Sequence, residues 1–247
     1  DVVETKALTK LLIQIMLSVW IVFVFLENLQ TMFGVMSGYF HWPFIFLALF
    51  LLVWLINVFN FMDAIDGMAL SGSLLIAWSA ALIILTFQGN NENSVMLFLL
   101  GIVCLGFLLF NFPPASIFMG DAGSLFLGYI FGCLIIKTVV DNDINIWTWL
   151  IILGHFLTET TLTTLMRIKL TRNWYKAHRS LAYQNLARIL NSHRKVTVGS
   201  IIFHLVWLFP LAFISAHNPT MGLILFLLAI FPVVLFTVRF GPLFSMK

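Results

Sequence analysis

Long apolar runs alternate with short polar segments along the whole chain. A helix needs about 20 apolar residues to cross a bilayer, and eight runs approach that length, at about 7–26, 43–59, 68–87, 95–110, 124–140, 147–166, 199–216 and 221–238. The segments between them are rich in Gly, Pro, Asn and Asp, which favour turns. Since the runs lack the alternation of a barrel strand, the pattern predicts an all-α, polytopic membrane helical bundle with about eight transmembrane helices.

The composition agrees with a membrane protein. Of the 247 residues, 61% are hydrophobic and 9% are charged, whereas an ordinary soluble domain carries roughly 25% charged residues. We therefore expect a single transmembrane domain over residues 1–247 and no nucleic-acid partner. Cys104 and Cys133 lie in apolar runs and are expected to be inert packing residues. Because residue 1 is Asp and no signal-peptide pattern precedes the first apolar run, the chain is expected to begin inside a longer protein.

Most of the basic residues fall in one polar segment, 167–198, which we predict to be a cytoplasmic loop. Lys and Arg accumulate on the cytoplasmic side of membrane proteins, and eight of the thirteen lie here: Arg167, Lys169, Arg172, Lys176, Arg179, Arg188, Arg194 and Lys195. Counting spans outward from this loop places residues 60–67, residues 111–123 and both termini on the same side. The motifs described next are therefore predicted to meet at one membrane surface.

The first motif is "NFMDAIDGMA", in which Asp63 and Asp66 stand three residues apart. Residues at this spacing are neighbours on one face of a helix, and a carboxylate at membrane depth is costly unless it is paired or functional. The alternative is structural: Asp63 would cap a helix starting near Ala64, and Asp66 would lie in its first turn.

The second motif is "FMGDAGS", residues 118–124, at the start of the next span. Glycines flanking Asp121 at a helix N-terminus permit close backbone approach and leave N–H groups free. This combination suits a phosphate bound through Mg²⁺. Alone, the motif could be a capped turn. Three carboxylates from two loops beside a basic cluster favour diphosphate chemistry, which needs a metal and cations to neutralise charge.

The third motif is "AHRSLAYQNLARIL" in the basic loop. From Ala182 onward its apolar residues fall on one helix face and its polar residues largely elsewhere, which predicts an interfacial amphipathic helix; the alternative is a loop that serves topology alone. His178 could be a ligand, an acid or base, or a surface residue. No role is assigned to His41, His193, His204 or His217.

One further acid lies within a predicted span. Glu159 follows His155 by one helical turn, and such a pair can bind metal. In a Thr-rich helix, we favour a hydrogen-bonded packing pair.

Together, "NVFNFMDAIDGMA" and "NFPPASIFMGDAGSLFLG" resemble the paired signatures of the polyprenyl-phosphate N-acetylhexosamine-1-phosphate transferases, the MraY and WecA type of glycosyltransferase family 4. "AHRSLAYQNLAR" resembles the HRSHAYQ loop of the O-antigen-initiating branch. The resemblance covers roughly four fifths of the chain. It implies transfer of a sugar phosphate from a UDP-N-acetylhexosamine to undecaprenyl or another polyprenyl phosphate, with release of UMP. The cofactor would be Mg²⁺, or alternatively Mn²⁺.

Members of this family catalyse the first membrane step of cell-envelope polysaccharide synthesis, at the cytoplasmic face of the bacterial inner membrane. The resemblance therefore implies the same location here. Which UDP-sugar is used and whether the protein forms a homodimer stay open.

The resemblance also implies roles for individual residues. Asp121 matches the family's Mg²⁺-binding aspartate, Asp63 matches its nucleotide-side aspartate, and Asp1 resembles the second member of an Asp-Asp pair that activates the lipid phosphate. The candidate catalytic residues are Asp1, Asp63, Asp121 and His178, and the candidate substrate-binding residues are Asn60, Asp66, Asn111, Phe118, Gly120 and Arg179.

The chain departs from the family pattern in three places. Ala64 replaces the usual Gly after Asp63, and Leu181 stands where HRSHAYQ has its second histidine. The first aspartate of the Asp-Asp pair would precede Asp1, so the eight spans would be the last eight of an eleven-helix member. We therefore expect this fragment to lack part of the site.

Two other functions compete with this interpretation. The CDP-alcohol phosphotransferases also have a membrane Asp-Gly motif, but they need Ala-Arg shortly after it and two further aspartates, whereas this chain has Met68-Ala69-Leu70. The second alternative is a membrane transporter in which Asp63, Asp66 and Glu159 relay ions or protons. Transporter sites lie near the bilayer midplane, often between inverted repeats, and no repeat is visible here.

Overall fold

The computed structural model describes residues 7–25, 41–172 and 179–245, and these are almost entirely helical, with no strand among them. The α-helices are α1 (Ala7–Val24), α2 (His41–Met62), α3 (Met68–Phe87), α4 (Glu92–Asn111), α5 (Gly120–Val140), α6 (Ile146–Ile152), α7 (Gly154–Leu170), α8 (Ala182–Leu190), α9 (His193–Phe203), α10 (Phe209–His217), α11 (Gly222–Phe240) and α12 (Pro242–Ser245). A π-helical turn, His204–Leu208, joins α9 to α10, and a 3₁₀ turn, Pro219–Met221, precedes α11.

The predicted membrane spans correspond to helices. Within the described residues, six helical stretches are long and apolar enough to cross a bilayer, and Leu8–Val24 forms a shorter apolar helix. The remaining predicted span, 147–166, covers α6 and α7. The protein is therefore an integral membrane protein built as a polytopic helical bundle, as the hydrophobic pattern predicted.

Two of the predicted spans differ from the structure. Residues 147–166 are divided between α6 and α7 at Leu153, where ψ is −2° instead of the usual helical value of about −42°. The span predicted at 199–216 begins six residues earlier, because the Ser192 hydroxyl caps α9 by accepting the N–H of Lys195 at 3.3 Å. Apolarity marks where a helix enters lipid, whereas the capping residue marks where it begins.

Helix α3 lies at the centre of the bundle. In an 18-residue stretch of α3, 78% of the residues are buried, against 28% to 39% in the corresponding stretches of the other five long apolar helices. Small residues occupy much of its length, as in "MALSGSLLIAWSAAL", and small side chains let membrane helices approach closely. The small side chains of the central helix therefore allow its neighbours to pack closely around it.

Helices α2 and α5 also pack closely against each other. A Cβ atom on Gly128 of α5 would lie 2.6 Å from the Cα of Ile56 in α2. Beside it, the rings of Phe59 and Phe131 stack with centroids 4.9 Å apart. This contact fixes α2 against α5 just below the polar residues at their ends.

Hydrogen bonds between loops define the two ends of the bundle. At one end, Asn91 and Asn93 donate to Asp143 at 2.9 and 2.6 Å. The other end, called here the loop face, carries loop A (residues 63–67), loop B (residues 112–119) and segment C (residues 179–192). The three motifs therefore meet at one end of the bundle, as predicted.

The basic segment 167–198 is not a loop throughout. Its first residues continue α7 to Leu170, and its last residues belong to α9. Segment C, between these helices, lies at the loop face.

We expect Gly128→Ala to destabilise the bundle, because its Cβ would have to displace the backbone of α2. Overpacking of this kind costs about 1–3 kcal/mol. The measurement is the thermal unfolding midpoint in detergent, which should fall. The control is Gly106→Ala, since a Cβ on Gly106 of α4 meets nothing within 4 Å; an equal fall in both variants would contradict the close contact.

Candidate active site

A polar cluster joins α1, α2 and α5 at the loop face. The side-chain amide of Asn60 donates to one carboxylate oxygen of Asp121 at 3.0 Å and to the Ser124 hydroxyl at 2.9 Å. The ammonium group of Lys10 pairs with the other oxygen of Asp121. With 42% of the Asp121 side chain exposed, this carboxylate is held by protein groups yet open to a ligand.

A second polar pair holds α1 in place for this cluster. The amide of Asn57 in α2 donates to the buried side chain of Gln14 in α1 at 2.8 Å. Lys10 lies one turn before Gln14, and Asn60 lies one turn after Asn57, so both face the same contact. The pairing therefore delivers Lys10 and Asn60 to Asp121 from two different helices.

Asp63 lies beside this cluster in an unfavourable environment for a charge. Burial, and then the negative charge of Asp121, raise the pKa of Asp63 to about 7. At neutral pH, therefore, this carboxylate is close to its titration midpoint.

The structural alternative for Asp63 and Asp66, in which both acids belong to the start of a helix, is wrong. Residues 63–67 form turns between α2 and α3, and α3 starts at Met68 after Gly67, with no side-chain cap. Asp63 therefore does not cap a helix near Ala64, and Asp66 is not in a first helical turn. The Asp66 carboxylate is held by tertiary contacts instead.

Asp66 connects loop A to two other parts of the chain. Its side chain accepts the backbone N–H of Ala115 in loop B at 3.1 Å and lies 3.2 Å from the imidazole of His193 at the start of α9. Its carbonyl accepts the hydroxyl of Thr197 at 2.8 Å. The second acid of the motif therefore organises the loop face.

Asn111 binds loop A to loop B from a buried position. Its side-chain oxygen accepts the N–H of Gly67 at 3.0 Å, and its amide donates to the carbonyl of Ile117 at 2.8 Å. Gly67 has φ +73°, and a Cβ there would lie 3.1 Å from Pro113. Asn111 thus has a structural role in the described residues, and its predicted contact with substrate stays a prediction.

Segment C contains the predicted helix, and its position in the membrane interface stays a prediction. Polar Asn185 is buried and donates to the carbonyl of Phe240 at 2.6 Å, whereas apolar Ile189 is half exposed. The buried Tyr183 hydroxyl donates to the carbonyl of Phe61, the last turn of α2, at 2.7 Å. Helix α8 is docked into the bundle because its polar side chains satisfy backbone groups at the ends of α11 and α2.

A cavity of about 750 Å³ opens between loop A, loop B and segment C. Its lining includes the predicted residues Asp66, Phe118 and Arg179, together with Arg188 and His193. The ring of Phe118 is 72% exposed, and two guanidinium groups face an otherwise mixed surface. The cavity therefore combines an aromatic face with positive charge, which suits a base and its phosphates.

The predicted residues divide into those that the structure brings together and those that lie outside the described residues. Asn60 and Asp121 belong to the cluster, Asp63 lies beside it, and Gly120 (φ +65°) directly precedes Asp121. Asp1 and His178 lie outside the described residues.

Sequence reasoning missed Lys10 and His193. The signal for Lys10 was its position one turn before Gln14 at the start of an apolar run. His193 carried no signal, because its partner Asp66 is distant in sequence.

The carboxylates of Asp121 and Asp63 could hold a cation only together with oxygen atoms of a bound ligand. Among the described residues, no three His, Cys, Asp or Glu side chains come together, and Mg²⁺ in phosphate sites uses one or two carboxylates plus substrate oxygens. Asp121 and Asp63 supply two carboxylates whose mutual repulsion a cation would relieve. The residues present therefore suit Mg²⁺.

His155 and Glu159 form a hydrogen-bonded pair within the bundle, which is the interpretation that the sequence favoured. Their side chains lie 3.1 Å apart, and the fully buried Glu159 also accepts the N–H of Tyr183 at 2.8 Å. The pair positions α8 against α7.

Comparison with known proteins gives a family match. Residues 1–139 match the model of glycosyl transferase family 4. A probable undecaprenyl-phosphate N-acetylglucosaminyl 1-phosphate transferase of Bacillus subtilis is 31% identical over 184 residues, 72% of this chain and 50% of that protein. The phospho-N-acetylmuramoyl-pentapeptide-transferase of Clostridioides difficile is 29% identical over 183 residues, 70% of this chain and 53% of the relative. That of Moorella thermoacetica is 42% identical over 97 residues, 39% of this chain and 30% of the relative. The chain spans about half the length of these relatives, or less.

We expect Asp63→Asn to stabilise the protein increasingly as pH rises. The ordinary pKa of 3.8 applies in the unfolded chain and about 7 in the folded protein. The wild type therefore loses stability between these pH values, whereas the amide does not. The gap should grow to about 1–4 kcal/mol by pH 7 and then stay level.

Thermal unfolding of both proteins in detergent between pH 4.5 and 8.5 checks this. Glu92→Gln, at an exposed acid far from the loop face, is the matched control. A gap between wild type and Asp63→Asn that does not change with pH would contradict the raised pKa.

Proposed function

We propose, since the chain belongs to glycosyl transferase family 4, that it transfers an N-acetylhexosamine 1-phosphate from a UDP-sugar to a polyprenyl phosphate and releases UMP. The observation that carries the proposal is the cluster of Lys10, Asn60 and Asp121 beside Asp63 at the loop face. The names of the relatives from Bacillus subtilis and Clostridioides difficile support the same reaction class.

The location of the cluster suits this pair of substrates. A polyprenyl phosphate is confined to the bilayer and a UDP-sugar to water, so the two can react only at a membrane surface. The loop face holds the carboxylates, and the cavity beside them presents Arg179 and Arg188. By the positive-inside rule, this face would be cytoplasmic, at the inner membrane of a bacterium.

The reaction is an in-line phosphoryl transfer. An oxygen of the lipid phosphate attacks the phosphorus linked to the sugar, the bond from that phosphorus to UMP breaks, and UMP leaves with the electron pair. Three phosphate groups approach one another, so fixed positive charge is needed at the transition state. Lys10, Arg179 and Arg188 are the candidates in the described residues.

Asp121 and Asp63 would hold the Mg²⁺ ion. When bound, the ion would neutralise charge on the diphosphate. Asn60 orients Asp121 through its hydrogen bond of 3.0 Å, and Lys10 balances the charge of this carboxylate. Asp63, whose pKa is raised to about 7, can carry a charge at little cost once a cation is near.

The environment of Glu159 does not support the transporter alternative. A relay would need this carboxylate on an aqueous path, whereas it is fully buried and both of its oxygens accept or share hydrogen bonds. Its role is explained by the packing of α8.

The proposal is tested on the full-length protein with undecaprenyl phosphate and a panel of UDP-N-acetylhexosamines, measuring UMP release with and without Mg²⁺. We expect Asp121→Asn to lower kcat at least about 100-fold, as loss of one preorganised electrostatic group does. Glu92→Gln should retain activity. UMP release that Asp121→Asn leaves unchanged would overturn the metal-ligand assignment, and no release with any sugar would overturn the proposed reaction.

Lys10 provides a second test. Lys10→Met should lower kcat/KM about tenfold or more, because a positive charge next to the phosphates is lost. The matched control is Lys137→Met, which removes a lysine paired with Asp141 at 3.0 Å at the opposite end of the bundle. Equal activities of the two variants would contradict a role for Lys10 in the reaction.

A further inference from the structure

We propose that a second cavity, on the side of the bundle, binds one acyl chain of an anionic phospholipid. The cavity has a volume of about 280 Å³ and lies between α8, α9 and α11 near the loop face. Its residues include Tyr183, Val196, Phe203, Val233 and Phe236. This site is separate from the proposed reaction and does not depend on it.

The side chains that line this cavity are mostly apolar. Its two polar side chains other than Tyr183 and Lys195 are engaged with each other, since the Ser200 hydroxyl lies 3.0 Å from the ring of His155. The other ring nitrogen of His155 pairs with Glu159. An occupant therefore finds apolar surface inside the cavity, which suits an alkyl chain and not a polar metabolite.

Positive charge lies at the end of the cavity nearest the loop face. Lys195, in the first turn of α9, is part of the lining and is exposed. Arg239 follows Phe236 by three residues on α11, so it lies on the same side one turn closer to the loop face. Within residues 7–25, 41–172 and 179–245, neither makes an ion pair with an acid. Two cations above an apolar cavity complement a negatively charged headgroup above its chain.

A gap in side-chain packing gives the chain access. Gly199 is exposed on α9 and lines the cavity, and a Cβ placed there meets nothing within 4 Å. Glycine in a helix costs about 1 kcal/mol relative to alanine, and close helix packing does not explain it here. The open space beside Gly199 is where an acyl chain enters between α9 and α11.

The occupant is assigned to the phospholipids and not to the polyprenyl phosphate acceptor. None of the cavity's residues belongs to the cluster of Lys10, Asn60 and Asp121. An acceptor would have to place its phosphate at that cluster. The ring of Tyr183 forms one wall while its hydroxyl holds Phe61, so the lipid chain packs against a residue that supports the active site.

Binding is measured on the full-length, delipidated protein in detergent by native mass spectrometry during titration with phosphatidylglycerol. Gly199→Leu fills the cavity and should lower the affinity at least about tenfold, while Gly106→Leu, the matched control on another helix, should bind like the wild type. Lys195→Gln should lower the affinity about fivefold, as expected for one basic residue near an anionic headgroup. Phosphatidylcholine should bind more weakly than phosphatidylglycerol.

Thermal unfolding without lipid shows that each variant is folded, and Lys195→Gln tests the site even if Gly199→Leu does not fold. Equal phosphatidylglycerol binding by wild type, Gly199→Leu and Lys195→Gln would overturn the site. Equal binding of phosphatidylcholine would overturn the anionic headgroup. Displacement of phosphatidylglycerol by undecaprenyl phosphate at equal concentration would assign the cavity to the acceptor instead.

Discussion

A carboxylate at the end of an apolar helix needs partners, and this requirement organises the loop face. Leaving such a group unpaired away from water costs several kcal/mol, so each acid must recruit donors from elsewhere in the chain. Asp121 recruits Asn60 and Lys10 from two other helices, and Asp66 recruits Ala115 and His193 from loop B and α9. Loops A and B converge because the Asp66 carboxylate of loop A accepts the N–H of Ala115 in loop B.

Asp63 is the exception, and the asymmetry has chemical meaning. Asp66 and Asp121 are held by donors, whereas burial and the charge of Asp121 raise the pKa of Asp63 to about 7. Under the proposed function, an acid that is poorly stabilised until a cation and several phosphates arrive would assist their binding. The disfavoured charge of Asp63 and the exposed side of Asp121 would both favour the binding of a cation.

The polar cluster depends in turn on close helix packing. Gly128 lets α5 approach α2 until a side chain would meet backbone, and the stacked rings of Phe59 and Phe131 hold that approach. Asn60 lies one residue beyond Phe59, so a small change in the distance between the two helices would separate its amide from Asp121. Without a hydrophobic driving force between helices in lipid, such packing carries much of the positional accuracy.

The sequence by itself determined the approximate positions of the membrane spans, the shared end of the three motifs and the family. These follow from apolar run length, charge bias and local residue order, which act within one segment at a time. Only the tertiary structure decided that loop A is a turn and not a helix, that α8 buries Asn185, and that Lys10 and His193 belong at the loop face. Each of these results depends on a hydrogen bond or ion pair between residues far apart in sequence. Local residue order does not show which distant residues lie close together in space.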